Sequence, residues 1–321
     1  MLNSRALSYL SEVIRRGSLR KAATYLGIDV SAVSRQIRHL EEHLDTRLLE
    51  RHAGGIKVTE AGRLLADHYH AQQTAEDAVI SRLSALQGLV SGQVRIAVGE
   101  GFIADLISAP LQSFMTTYPG IELEVVMAGV NEAMALVKDR EVELALLYAP
   151  PVDPQLTCHV ETRQPLDLIV PTGHELARIT QPIALQDMVK YPIGLMDNPF
   201  GMRQMINAVA HQERIFLQAR LHTNSVAVLK NFVRSGIGVT FMPELTVAEE
   251  IQQGDIIVLP MAYPVLRDAR AQIVSLTGRE LTVAANACLD HLCRGMRFFN
   301  ADAPRLAGAK CWNNNNTIGI D

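Results

Sequence analysis

Residues 17–65, GSLRKAATYLGIDVSAVSRQIRHLEEHLDTRLLERHAGGIKVTEAGRLL, decide how this chain begins to fold. Just ahead of them Leu7, Leu10, Val13 and Ile14 recur at helical spacing, and Gly17 suits the left-handed conformation that ends a helix, so the first helix spans about 3–16. Ser18 can cap a second helix, Leu19 to Leu26, in which Ala22 and Ala23 allow another helix to approach and Gly27 ends the run. Asp29 is the cap candidate for a third, from Val30 to about His43. Its Val33, Ile37, Leu40 and Leu44 share one stripe, with Ser31, Ser34, Arg35 and Arg38 on the other side. Two short helices joined by a tight turn, the second presenting hydroxyls and arginines near its start, match the helix-turn-helix geometry that docks in the major groove of DNA.

The residue types suit that task. Arg forks onto a guanine edge or a phosphate, Gln36 pairs with an adenine edge, and serine hydroxyls reach phosphates. A merely solvated face carries the same residue types, so the following segment has to discriminate. Leu48 to Thr59 is strand, glycine turn at Gly54-Gly55, strand: a wing, with Arg51 and Lys57 flanking the turn and Thr59 capping a helix that begins at Glu60. Charge agrees with it. Residues 1–63 hold 11 Lys and Arg against 7 Asp and Glu, a net +4, whereas the remainder nets −8, so a polyanion partner belongs to the front of the chain alone.

The order Ala22-Ala23, Ser31-x-x-Ser34-Arg35-Gln36-Ile37, Leu40-Glu41, Glu50-Arg51 and Val58-Thr59-x-x-Gly62 runs across about 45 residues and resembles the winged helix-turn-helix of LysR-type transcriptional regulators. Leu49 stands where that family often has Phe. Val30 replaces a polar residue, often Gln, at the entrance of the recognition helix; it cannot hydrogen-bond a base edge but can meet a thymine methyl, which implies an altered sequence preference. The residues expected to meet DNA are Ser18, Arg20, Val30, Ser31, Ser34, Arg35, Gln36, Arg38, Arg51, Lys57 and Thr59.

From Glu60 to about Leu89 there is no proline and helix formers dominate, which predicts one long helix. Leu65, Tyr69, Val79, Leu83, Leu86 and Val90 fall on alternating steps of three and four, a partial coiled-coil seam interrupted by Gln72 and Glu76. The seam pairs with a second copy or packs on the chain's own carboxy-terminal part. The resemblance favours dimerisation, and two recognition helices per dimer imply an operator with two related halves.

Beyond a break at Ser91-Gly92-Gln93, strands at 94–98, 121–127 and 144–148 alternate with helical stretches at 103–118 and 132–139. A second series follows, through Leu166–Pro171, Ile183–Val189, Ile193–Met196, Gly201–Gln212, Val226–Ser235 and Val239–Met242, so two α/β lobes built on parallel βαβ units are expected. This body resembles the regulatory domain of the same family, similar to a two-lobed periplasmic binding protein with a small-molecule inducer in the cleft. Ligands of open sheets settle beyond the carboxyl ends of strands. That position nominates Glu100, Gly101, Phe102, Ile103, Val130, Asn131, Pro199, Phe200, Met202, Thr223, Asn224 and Thr240, within loops that also hold Gly129, Asn198 and Ser225. Family members that bind carboxylates often have Ser or Thr at the first helix start, where this chain has Phe102-Ile103 after Glu100. A carboxylate there repels an anionic effector unless Arg203 or another cation compensates, which implies an amine-bearing or largely apolar inducer.

The expected organisation is a winged helix-turn-helix at 1–59, a linker and dimerisation helix at 60–90, a two-lobed effector domain at 91–300 and an irregular tail at 301–321. Lobe I takes about 91–164 and 267–300, and lobe II about 165–266. The partners implied are double-stranded DNA, a small-molecule inducer, a second or further copies in a dimer or tetramer, and RNA polymerase; no cofactor, metal or catalytic residue is expected. Cys158, Cys288, Cys293 and Cys311 lack zinc or disulfide spacing and are expected to be buried free thiols. His68 and His70, two apart, cannot share a metal and are expected in solvent. Gly236-Ile237-Gly238 lacks the third glycine of a nucleotide loop and precedes a strand. The first residues lack a secretion leader and even Val228–Phe241 is broken by Lys230, Asn231 and Arg234, so a cytoplasmic protein is expected. Two rival classes are a transport-linked solute-binding module, which would need a leader and no basic winged helix, and an enzyme whose turnover survives loss of residues 1–90.

Overall fold

Caps supplied by the sequence bound the amino-terminal helices. In the computed structural model, which describes residues 2–52, 55–86 and 91–300, α1 (Ser4–Arg16) starts at Asn3, whose side chain accepts from the Arg5 amide, and stops at left-handed Gly17. The Ser18 side chain caps α2 (Leu19–Leu26), and left-handed Gly27 ends it. Asp29 precedes α3 (Val30–Leu44) but makes no side-chain cap, contrary to expectation. Next come the wing strands β1 (Leu49–His52) and β2 (Gly55–Val58), paired antiparallel, and the long α4 (Glu60–Leu86). Leu7, Leu10, Val13, Ala22, Ala23, Val33, Ile37, Leu40 and Leu48 form one buried core here. Gly54, Val90, Cys311 and the tail from 301 lie outside the described residues, as does the side chain of Arg51.

The chain divides into two units between Leu83 and Ser84. The second begins with β3 (Ser91–Val98), followed by a 3-10 turn at Glu100–Phe102, α5 (Ile103–Ser108), α6 (Pro110–Thr117), β4 (Gly120–Met127), α7 (Val130–Lys138), β5 (Leu144–Tyr148) and β6 (Leu156–Arg163). Ser91-Gly92-Gln93 is therefore strand and not a break, because these residues pair in register with Gly120, Ile121 and Glu122. The single helix expected over 103–118 is two helices. Pro110 lacks an N–H and forces Ala109 out of helical geometry (φ −147°).

Lobe II comprises β7 (Asp167–Pro171), α8 (Leu185–Met188), β8 (Ile193–Met196), α9 (Gly201–Gln212), β9 (Ala219–Thr223), α10 (Val226–Arg234), β10 (Thr240–Met242), α11 (Ala248–Gln253), β11 (Ile256–Leu259) and α12 (Pro264–Arg267). The chain then returns to lobe I as β12 (Arg270–Leu276) and α13 (Val283–Gly295). The lobe I sheet has order β4-β3-β5-β12-β6, and lobe II has β10-β7-β11 with a separate β8-β9 pair.

Among these strands, pairing is parallel for β3 with β4 and β5 and for β8 with β9. The returning β12 is antiparallel to β5 and β6, and β7 is antiparallel to β10 and β11. All-parallel βαβ units are thus corrected to mixed sheets, since a strand arriving from the other lobe enters the sheet from its far end. Along β3, Val94, Ile96 and Val98 face a core shared with Phe102, Phe114 and α13, while Ala97 faces one under α7, the period-2 alternation of a sheet covered on both sides. The crossing segments brace each other: the Gln164 amide donates to the Ala269 carbonyl at 2.8 Å and the Leu166 amide to the Leu266 carbonyl at 2.9 Å.

Candidate nucleic-acid interface and ligand cavity

On α3 the apolar stripe is buried at Val33, Ile37 and Leu40, which turns the other side outward. Val30, Ser31, Arg35 and Arg38 are exposed, and Ser34 and Gln36 half-buried. Among the described residues Arg35 and Arg38 enter no ion pair, so their charge is available to an outside anion. Arg20 is exposed in the first turn of α2, near the cap Ser18.

The wing is tied down by Glu41, Thr59 and Gly62. The Glu41 carboxylate accepts from the Leu48 and Leu49 amides at 2.8 and 3.2 Å, joining α3 to β1. Thr59 Oγ1 accepts from the Gly62 amide at 3.0 Å and reaches the Arg47 and Leu48 carbonyls at 2.8 and 3.0 Å. A Cβ at Gly62 would lie 2.2 Å from the Leu48 carbonyl oxygen, which is why glycine stands there. Thr59 is thus the cap expected for the helix at Glu60, and its hydroxyl, also expected to meet DNA, is engaged within the domain. Lys57 is exposed but sits opposite Glu50 across the hairpin, so an acid shares its end of the wing. Arg51 pairs through its backbone with Ile56.

Beside this interface, α4 changes character along its length. Leu65 and Tyr69 pack on the amino-terminal core, and His70 Nε2 lies 2.8 Å from the hydroxyl of buried Ser11, so His70 is not the solvated histidine expected; His68 is exposed. Further on, Val79, Ile80 and Leu83 stand 54%, 62% and 57% exposed. The seam is thus half used at home and half open.

Between the lobes lies a cavity open to solvent, with about 440 Å³ of empty space when the part continuous with solvent is included. Lobe I supplies Gly99 to Phe102 from the turn after β3, Ala128 and Val130 from the end of β4 and start of α7, Leu146 to Tyr148 from β5, and Phe298 from beyond α13. Lobe II supplies Phe200, Gly201 and Met202 at the start of α9, with Pro243 and Thr246. Of the nominated residues, Glu100, Gly101, Phe102, Val130, Phe200 and Met202 meet there. Ile103 packs toward the lobe I core, Asn131 and Asn224 are exposed, and Pro199 holds the lobes together by accepting from the Val130 amide at 3.1 Å. Thr240 is buried with its hydroxyl donating to the Gly194 carbonyl at 2.8 Å, and Thr223 Oγ1 accepts from the Ser225 amide at 3.0 Å; neither residue lines the cavity.

Most of the lining the sequence missed is apolar and ordinary in type: Leu146, Leu147 and Pro243. Phe298 carried a signal in the Phe298-Phe299 pair near the end of the described chain. Its ring packs edge-on to Phe102 with centroids 4.6 Å apart, and its amide donates at 3.0 Å to the buried Asp105, whose carboxyl burial raises while the Phe298 amide and Arg297 oppose. Gly201 admits the close approach of the lobes, for a Cβ there would lie 2.0 Å from the Tyr148 carbonyl oxygen.

The cavity's polar side chains are already engaged. The Tyr148 hydroxyl donates to the Gln164 carbonyl at 2.8 Å, Thr246 Oγ1 to the Gly101 carbonyl at 3.3 Å, and Glu100 accepts from Ser225 and the Val226 amide at 3.0 and 2.7 Å. No Lys, Arg or His is among the described lining residues. Arg203 does not line it; burial lowers the pKa of its guanidinium against the nearby Asp197. The cation expected to offset Glu100 is replaced by donors from the opposite lobe. At the hinge, burial first and Glu244 second push the Asp167 carboxyl up to about 6, opposed by the Met261 amide and Arg267; burial and then Asp167 raise Tyr148 well above its usual range. Of the cysteines, Cys288 is buried and lifted to about 12 by burial, Cys293 is half-buried, and Cys158 is exposed on β6, correcting the expectation for that residue.

Residues 4–63 match the model of the bacterial regulatory helix-turn-helix protein, lysR family, and residues 87–297 that of the LysR substrate binding domain. The chain is 27% identical over 272 residues to the HTH-type transcriptional regulator CbbR of Sinorhizobium medicae (strain WSM419), covering 79% of this chain and 81% of that one. Its fold resembles a full-length OxyR variant from Pseudomonas aeruginosa, with TM-score 0.67, 13% identity and coverage of 95% and 99%. It also resembles the Synechocystis PCC6803 CcmR regulatory domain in complex with 2-PG, with TM-score 0.57, 21% identity and coverage of 64% and 98%. Among the described residues no helix is long and apolar enough to cross a membrane.

Proposed function

Since the chain belongs to the LysR family of DNA-binding transcriptional regulators, whose carboxy-terminal domain takes up a small-molecule effector, we propose that α3 reads the major groove of its operator while the effector occupies the cavity between the lobes. The observation that carries this assignment is the outward face of α3, where Arg35 and Arg38 are exposed and enter no ion pair with described residues while the opposite stripe is buried. Arg35 and Gln36 meet base edges, Val30 a thymine methyl, and Ser31, Ser34, Arg38 and Arg20 the phosphates. Lys57 and Arg51 follow the neighbouring backbone from the wing.

The regulator acts as a dimer or tetramer in the cytoplasm. The exposed stripe Val79, Ile80 and Leu83 on α4 supports pairing with a second copy, because a lone helix leaves such a stripe wet. Two recognition helices then address an operator of two related halves, and RNA polymerase is the partner at the promoter. The effector shifts the angle or spacing of those helices by what it gains in one arrangement over the other, about 1–3 kcal/mol. Footprinting genomic fragments with the purified full chain, with and without cell extract, tests this: two protected half-sites whose pattern a metabolite alters are expected. Absence of any protection at low ionic strength would remove the assignment.

A further inference from the structure

The two lobes are joined at the start of α10 through one carboxylate. Glu100 stands on the lobe I turn after β3. Its Oε1 accepts from Ser225 Oγ at 3.0 Å and the Ala227 amide at 3.5 Å, and its Oε2 accepts from the Val226 amide at 2.7 Å. Val226 and Ala227 open a nine-residue helix, where first-turn amides have no partner within the helix and the dipole favours an anion. Thr223 Oγ1 accepts from the Ser225 amide, which holds that residue's hydroxyl toward the carboxylate. An acid of one lobe is thus bound as a ligand by the other.

Glu100 also lines the cavity, beside residues that include no described cation, and the Tyr148 and Thr246 hydroxyls there are committed to backbone carbonyls. An acidic effector therefore meets a fixed negative charge and no described side-chain cation, with only the first-turn amides of α9 to offset it, in a medium less polarisable than water. A cationic effector has to draw Glu100 away from three donors, giving up charge-assisted hydrogen bonds. An uncharged, chiefly apolar molecule bears neither cost.

We propose that Glu100 determines the specificity of the cleft: its carboxylate fills the anion seat of α10, clasps the lobes without help from an effector, and turns the cavity toward uncharged ligands. This rests on the cleft being the effector site.

Hydrogen exchange read by mass spectrometry on the full chain, with acetate as the probe, tests it. In the native chain acetate leaves exchange of the Ser225–Ala227 peptide unchanged. In Glu100→Ala that peptide exchanges about tenfold faster, the loss of charge-assisted bonds, and acetate restores its protection. Glu100→Gln, which keeps an acceptor oxygen without the charge, falls between. Unchanged exchange in Glu100→Ala overturns the proposal, as does a fast variant that acetate fails to rescue, or acetate protecting the native chain as strongly as the variant. Circular dichroism checks folding. Should Glu100→Ala not fold, Glu100→Gln decides: acetate protects it more than the native chain, and equal effects sink the clasp. Footprints on the same preparations separate the two assignments. If the cleft is not the effector site, the footprint stays insensitive to cell extract with the exchange pattern intact, whereas a failed clasp abolishes the exchange difference and leaves the extract-dependent change in the footprint.

Discussion

Arg35 and Lys57 carry the same charge in different surroundings, and the difference predicts how each fails. Arg35 projects from the exposed face of α3, so Arg35→Ala relaxes base preference and costs about 1–3 kcal/mol on the native operator. Lys57 lies across the wing from Glu50, so Lys57→Ala weakens all sequences alike and lowers the salt slope by at most about 1. Binding titrations at several salt concentrations on operator and scrambled DNA separate the two, and matching behaviour would contradict the roles. A second residue, Asp167, sets a pH dependence. Its folded pKa of about 6 lies above the ordinary 3.8, so protonation favours the native state, and stability contributed below pH 4 is lost as pH rises through 6. Asp167→Asn should therefore gain on the order of 2 kcal/mol at pH 7 and almost nothing at pH 4, measured by urea midpoints; an equal gain at both pH values would refute it. At this scale the sequence was legible where chemistry is local. Ser18 and Thr59 as caps followed from their own positions, whereas the Thr240 hydroxyl is consumed by a carbonyl that only the fold brings near.

Helices were legible wherever their periodicity was strong, as in the bounds of α1 and α9, and misread where one residue overrides it, as Pro110 does. Strands were harder. Those at 156–163, 219–223, 256–259 and 270–276 went unassigned: polar and apolar residues mix in 156–163, 219–223 and 270–276, the four apolar residues at 256–259 are a short run, and pairing with strands distant in sequence leaves no local mark. The long α4 joins both cases: its helicity was readable, but the division of its seam into a packed near half and an exposed far half was not. That division yields a prediction. Leu83→Glu places a charge in the exposed stripe and shifts the chain toward monomer in sedimentation velocity, with operator affinity reduced about a hundredfold by loss of the second half-site contact. A variant that sediments and binds as the native chain would place dimerisation elsewhere.

The lobes meet through close backbone approaches and a few polar links, and Gly201 against the Tyr148 carbonyl is the tightest of them. Gly201→Ala forces the lobes apart, costs about 1–3 kcal/mol of stability, and abolishes the effector-dependent change in footprint while DNA binding without effector persists. An unaltered response would show that closure here is dispensable. The sequence by itself determined the two-part organisation, the winged helix-turn-helix, the presence of two α/β lobes and the family, because helical period, caps, turns and charge are properties of neighbouring residues. Only the tertiary structure decided that β12 returns antiparallel into lobe I, that Phe298 closes the cavity, and that Glu100 is satisfied at α10 instead of awaiting a ligand. Each of these joins residues more than a hundred positions apart, and packing and hydrogen bonding at such separations are set by chain topology, which no local pattern encodes.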